Sequence, residues 1–137
     1  MLELTIKGEV YQFNFGMGFM REVNKKVVQK GGADTNATKN IGLRYVIGGI
    51  IDNDIEILVD ALIAANKGQT PRVTRDLLDS YIDDEETDID ELFDTVMDFL
   101  LKTNATKNTA ATMKEEVDKL LKAEAEKEKA RQEVFNS

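Results

Sequence analysis

The first fifteen residues constrain the fold more tightly than any other stretch. They alternate. Leu2, Leu4, Ile6, Tyr11, Phe13 and Phe15 fall on one side of two short segments, and Glu3, Thr5, Lys7, Val10, Gln12 and Asn14 fall on the other. A two-residue turn centred on Gly8 and Glu9 sets Leu4 opposite Phe13, Ile6 opposite Tyr11 and Leu2 opposite Phe15. Gly as the first central residue suits a type II′ turn, which needs a positive φ there. A slip of one residue would turn the apolar face outwards, so the facing is strongly specified. A lone hairpin is marginal in water. The apolar face therefore needs a cover, and the rest of the chain reads as helices able to provide it.

Helical spacing begins at once. Met17 to Gln29 carries Met20, Val23 and Val27 on one stripe, with Phe19 beside it, and Gly31-Gly32 stops it. Leu43, Val46, Ile47 and Ile50 mark a second helix, and Ile55, Leu58, Val59 and Leu62 a third. Asp52-Asn53-Asp54 joins these two as a short turn with N-cap residues, which makes them antiparallel neighbours. Gly42, Gly48 and Gly49 weaken the first of the pair as an isolated helix, and they let another backbone come close. An extended segment with the only proline, Pro71, leads to a helix from about Thr74 to Asp84, with Leu77, Leu78, Tyr81 and Ile82 inward. Asp88 and Glu91 have capping-box spacing. The helix they open places Ile89, Leu92, Phe93, Val96, Met97 and Leu100 on one stripe. The fold class is α+β: an N-terminal β-hairpin packed on a mainly α-helical domain, with a long C-terminal helix.

The hexapeptide Thr35–Asn40 recurs letter for letter at Thr103–Asn108. It is too short to be a solenoid repeat, and both copies read as linkers between helices. The second copy divides the chain into an α+β domain over residues 1–103 and a linker with a charged helix over 104–137. From Thr109 the chain reads as one helix. Met113, Val117, Leu120 and Leu121 form a short apolar stripe. A heptad continued from it meets Glu124, Lys127 and Arg131, which defeats a coiled coil. Residues 123–133 have strong helix propensity and no apolar face. The stripe of Met113, Val117, Leu120 and Leu121 is the candidate partner-binding surface, because no later segment covers it. Closure of the domain core is the other use open to it.

Composition excludes more than it assigns. The chain has neither Cys nor His. Disulfides, thiol nucleophiles, His-based triads and Cys- or His-ligated zinc are therefore ruled out. Asp83, Glu85, Thr87 and Asp94 echo a calcium loop, but Asp88 stands where that loop requires Gly, and Asp94 stands where it ends in Glu. No nucleophile–base pair is visible. The expectation is a protein without catalytic, metal or cofactor-binding residues, and not an enzyme. The net charge is −8, and residues 51–103 carry 15 acidic against 4 basic side chains. That balance argues against nucleic-acid binding, which rests on Lys and Arg. The longest apolar run is too short for a membrane helix. Met1 leads straight into a strand, so no signal peptide is expected and a cytoplasmic protein is.

The order and spacing of the segments resemble a known family. Phe15-Gly16-Met17-Gly18-Phe19-Met20-Arg21-Glu22-Val23-Asn24 follows the strand pair. Gly42-Leu43, an apolar helix, Asp52-Asn53-Asp54 and a second helix come next, then Pro71-Arg72-Val73-Thr74 before an acidic helix. This is similar to tail assembly chaperones of long-tailed, siphovirus-type phages and prophages of Gram-positive bacteria. The likeness covers roughly Met1 to Lys102 and leaves out the helix after Thr109. It implies a non-enzymatic protein of the host cytoplasm, absent from the mature virion. Such a protein binds the long helical tape measure protein, keeps it soluble and helps recruit tail tube (major tail) subunits. The resemblance also implies self-association into homo-oligomers and a longer, frameshifted form of the same chain as partners. It transfers no binding residues. Two other readings stay open: an acidic regulatory adaptor or nucleic-acid mimic using the 83–98 region, and a structural tail or connector component.

Overall fold

Strands β1 (Leu2–Ile6) and β2 (Glu9–Phe13) are joined by Lys7 and Gly8 alone. In the computed structural model, which describes residues 1–26 and 40–135, these two have φ of 51° and 81°. Positive φ at both central residues is the mark of a type I′ turn, whose twist matches that of the strands it joins. The turn expected at Gly8-Glu9 is thus corrected to Lys7-Gly8, and type II′ to type I′. The pairing shifts with it: Leu2 faces Phe13, Leu4 faces Tyr11 and Ile6 faces Glu9. Because this moves the partner strand by two residues, every side chain keeps its face. Leu2, Leu4, Ile6, Tyr11, Phe13 and Phe15 are all buried. Phe15, freed from the ladder, instead meets Phe19 edge-on at 5.1 Å and stacks near Phe99 at 6.0 Å.

Six helices follow among the described residues: α1 (Met17–Lys26), α2 (Ile41–Ile51), α3 (Ile55–Asn66), α4 (Arg75–Asp83), α5 (Ile89–Lys102) and α6 (Lys107–Phe135). The architecture is α+β. Val27, Gly31-Gly32 and the first hexapeptide up to Lys39 lie outside the described residues. Helix starts are fixed by short polar side chains. Asp54, Thr74 and Asp88 each sit in extended backbone and accept a hydrogen bond from the amide three residues on. α2 is different. Asn40 has φ 60° and its side chain makes no cap. The cap comes from α1, where Asn24 Oδ1 accepts from the Leu43 amide at 2.9 Å and Asn24 Nδ2 donates to Asn40 Oδ1 at 3.0 Å.

The close approach implied by Gly42 is real. A Cβ built there would sit 2.0 Å from the Val23 carbonyl oxygen in α1, so only glycine fits that crossing. Three glycines cost α2 about 1 kcal/mol each in helix propensity. Leu43, Val46, Ile47 and Ile50 are buried, and each contributes about 1.5–3 kcal/mol, so packing outweighs propensity.

α3 touches α1, α2, α4 and β2. Ile57, Leu58, Val59, Ala61, Leu62, Ala64 and Ala65 are buried round its circumference, not on one stripe. Ile55, expected inward, is 45% exposed, because it opens the first turn beyond its neighbours. At the other end Asn66 is fully buried. Its Nδ2 donates to the Gln12 carbonyl at 3.0 Å and the Pro71 carbonyl at 3.2 Å, and its Oδ1 accepts from the Val73 amide at 2.7 Å. One side chain thereby ties β2, α3 and the 71–73 segment together. In α4 only Leu78 is buried, while Leu77, Tyr81 and Ile82 are half-buried against the core.

Candidate functional site

The second hexapeptide determines how α6 leaves the domain. Thr103 caps the end of α5 and donates its hydroxyl to the Phe99 carbonyl at 2.6 Å. Thr106 is buried and donates its hydroxyl to the Leu100 carbonyl, also at 2.6 Å. These bonds satisfy carbonyls left open at the end of a helix. The segment is thus a tight hydrogen-bonded turn, and α6 starts at Lys107, two residues before the expected Thr109. Asn40, the last residue of the first copy, precedes α2, whereas its counterpart Asn108 lies inside α6.

The first turns of α6 belong to the core. Ala110 is fully buried, and Met113 packs on the core with its terminal methyl over Gly48 of α2. The expected stripe then divides. Val117 is half-buried, whereas Leu120 and Leu121 are 65% and 60% exposed. From Asp118 to Val134 every residue is exposed. At 1.5 Å per residue, the 29-residue helix is about 43 Å long, and well over half of it extends past the last core contact. The ion pairs Lys119–Glu115 at 3.4 Å and Arg131–Glu128 at 3.7 Å are surface pairs, each worth a few tenths of a kcal/mol.

Of the four sequence-selected residues, Met113 closes the core, Val117 lies at the margin, and Leu120 and Leu121 remain as an uncovered apolar pair one helical step further along. A shallow hollow of about 440 Å³ lies on a different side of α6, with Leu101 and Ala111 at its base and Lys114, Asp118 and Lys122 along its rim, and none of the four stripe residues lines it. An apolar floor with a mixed-charge rim suits a protein surface, and nothing in it converges for catalysis. Among the described residues no group of acidic side chains is placed to hold a metal ion, and no helix is long and apolar enough to cross a membrane.

A family model described as "Phage tail assembly chaperone protein, TAC" matches residues 3–115, most of the chain's 137 residues. The match runs beyond Lys102 into α6 and includes Met113. Val117, Leu120 and Leu121 lie past its end. No curated protein and no solved structure matches the chain.

Proposed function

The chain belongs to the phage tail assembly chaperone family, and on that premise we propose that it binds the tape measure protein of a siphovirus-type tail, keeps it soluble and helps recruit tail tube subunits. It does this without enzymatic chemistry, in the cytoplasm of a Gram-positive host, and is left behind when the tail is complete. The observation that carries the reading is the exposed Leu120–Leu121 pair, on a helix anchored at one end and uncovered over the rest.

The physical logic is shielding. A long helical polypeptide with apolar stripes aggregates unless those stripes are covered. One pair of leucines gives a weak contact. Many copies along one tape measure protein give retention, because each further contact on the same chain is effectively intramolecular. A net charge of −8 per copy keeps such an assembly in solution.

Co-expression with a candidate tape measure protein, followed by pull-down at low and high salt, tests this. The tape measure protein should become soluble and stay bound at both salts, since apolar contact is little screened. An insoluble tape measure protein and no complex at either salt would refute the proposal. A complex present only at low salt would favour an adaptor acting through the acidic 83–98 region.

A further inference from the structure

β1 is an edge strand with an open side. It pairs with β2 along one edge, and no described residue makes a backbone hydrogen bond to the other. Ile6 and Glu9 close the two-residue turn as a hydrogen-bonded pair. The alternation of an antiparallel ladder then makes Leu4–Tyr11 and Leu2–Phe13 the next such pairs. The backbone N–H and C=O groups of Glu3 and Thr5 therefore point away from β2. Proteins usually blunt such an edge with proline, a bulge or central lysines. β1 has none of these; Lys7 stands only at its end.

The edge faces a groove of about 610 Å³ that runs along β1 from Leu2 to Lys7. The end of α4, the 84–88 turn and the first turns of α5 form its other wall. Tyr81 and Leu92 contribute an apolar floor, and Asp84, Glu86, Asp88 and Glu91 stand along the rim. Tyr81 reports the character of the place: burial first, and then the nearby Glu91 carboxylate, hold its phenol above the ordinary tyrosine range. With Glu3 included, five acidic side chains line the groove against the single base Lys7.

These features select an occupant. Free strand-edge donors and acceptors are used by extended backbone and not by a helix, whose own backbone is already paired. The acidic rim repels nucleic acid. A second copy of this chain, paired β1 to β1, would bring the same acidic rim against itself. We propose that the groove binds an extended, lysine- or arginine-bearing peptide segment of a partner protein by strand addition to β1. The five residues of β1 span about 17 Å, which sets the recognised segment at five or six residues. Alternate side chains of that segment lie over Tyr81 and Leu92, and its cations meet the rim. This contact is separate from the α6 stripe and does not depend on the tape measure reading.

The probe is a fluorescein-labelled hexapeptide of alternating valine and lysine, titrated into the full chain by fluorescence anisotropy. N-methylation of one alternate set of its amides should weaken binding at least tenfold, while methylation of the other set should have little effect. Replacing its lysines by glutamates should abolish binding. Thr5→Pro removes an N–H that faces the groove and not β2, a position where an edge strand tolerates proline. It should weaken binding at least tenfold with the circular dichroism spectrum unchanged, and Glu86→Lys should weaken it several-fold. If Thr5→Pro disturbs the fold, the methylated peptides on the unaltered protein decide the matter. Absence of binding at millimolar peptide would overturn the proposal. So would binding indifferent to N-methylation, which would mean charge attraction alone, and so would a dimer in sedimentation that Thr5→Pro abolishes, which would make the occupant a second copy.

Discussion

At the scale of single residues, Asn66 does what no local pattern announces. It is fully buried, it spends its amide on two carbonyls and one N–H, and its partners come from as far away as Gln12. Asn66→Ala should lower stability by about 2–4 kcal/mol, because the buried Val73 amide and two partly buried carbonyls lose a partner and cannot all reach water. Equilibrium urea unfolding would measure this, and a loss below 0.5 kcal/mol would show that water replaces the side chain. In the sequence Asn66 looks like an ordinary polar residue near a helix end. The caps at Asp54 and Asp88 are legible there because their partners lie three residues on. Thr106 was hidden for the same reason as Asn66: a threonine in a polar hexapeptide reads as linker until Leu100 is placed beside it.

Elements follow the same division between near and far. Which side chains of the hairpin face inwards is set by alternation and is readable; which residues pair is set by the turn and was displaced by two. Stripes pick out buried residues in α2 and α5, and Leu58, Val59 and Leu62 in α3, but in α3 they miss Ile57, Ala61, Ala64 and Ala65, which are buried as well, and include the exposed Ile55. Glycine was the informative residue at the α1–α2 crossing. The sequence indicated a close approach, and the structure supplies the partner, the Val23 carbonyl 2.0 Å from where a Cβ of residue 42 would be. Gly42→Ala improves helix propensity by about 1 kcal/mol, yet it should destabilise the protein by about 2 kcal/mol or more, because backbone must move to admit the methyl group. Thermal unfolding gives the sign directly. A raised melting temperature would mean that the two helices separate freely.

On the scale of the whole molecule, the chain divides its apolar surface between two uses. The hairpin, α1 to α5 and the first turns of α6 bury most of theirs in one core, with Val10, Met17, Tyr45 and Ile55 left exposed, and the remainder of α6 carries the exposed Leu120, Leu121 and Val134 away from it. The sequence marked all four stripe residues but could not divide them, since Met113 and Leu120 differ only in whether Gly48 and the core lie beneath them. The family match ends at residue 115, two residues before the half-buried Val117. The most direct test of the account is the double variant Leu120→Asp with Leu121→Asp, co-expressed with the tape measure protein. Both side chains are exposed, so the variant should fold and melt as the parent does while the tape measure protein is left insoluble and unbound. A variant that still folds and still holds the tape measure protein in solution would contradict the claim that this exposed stripe is the working surface.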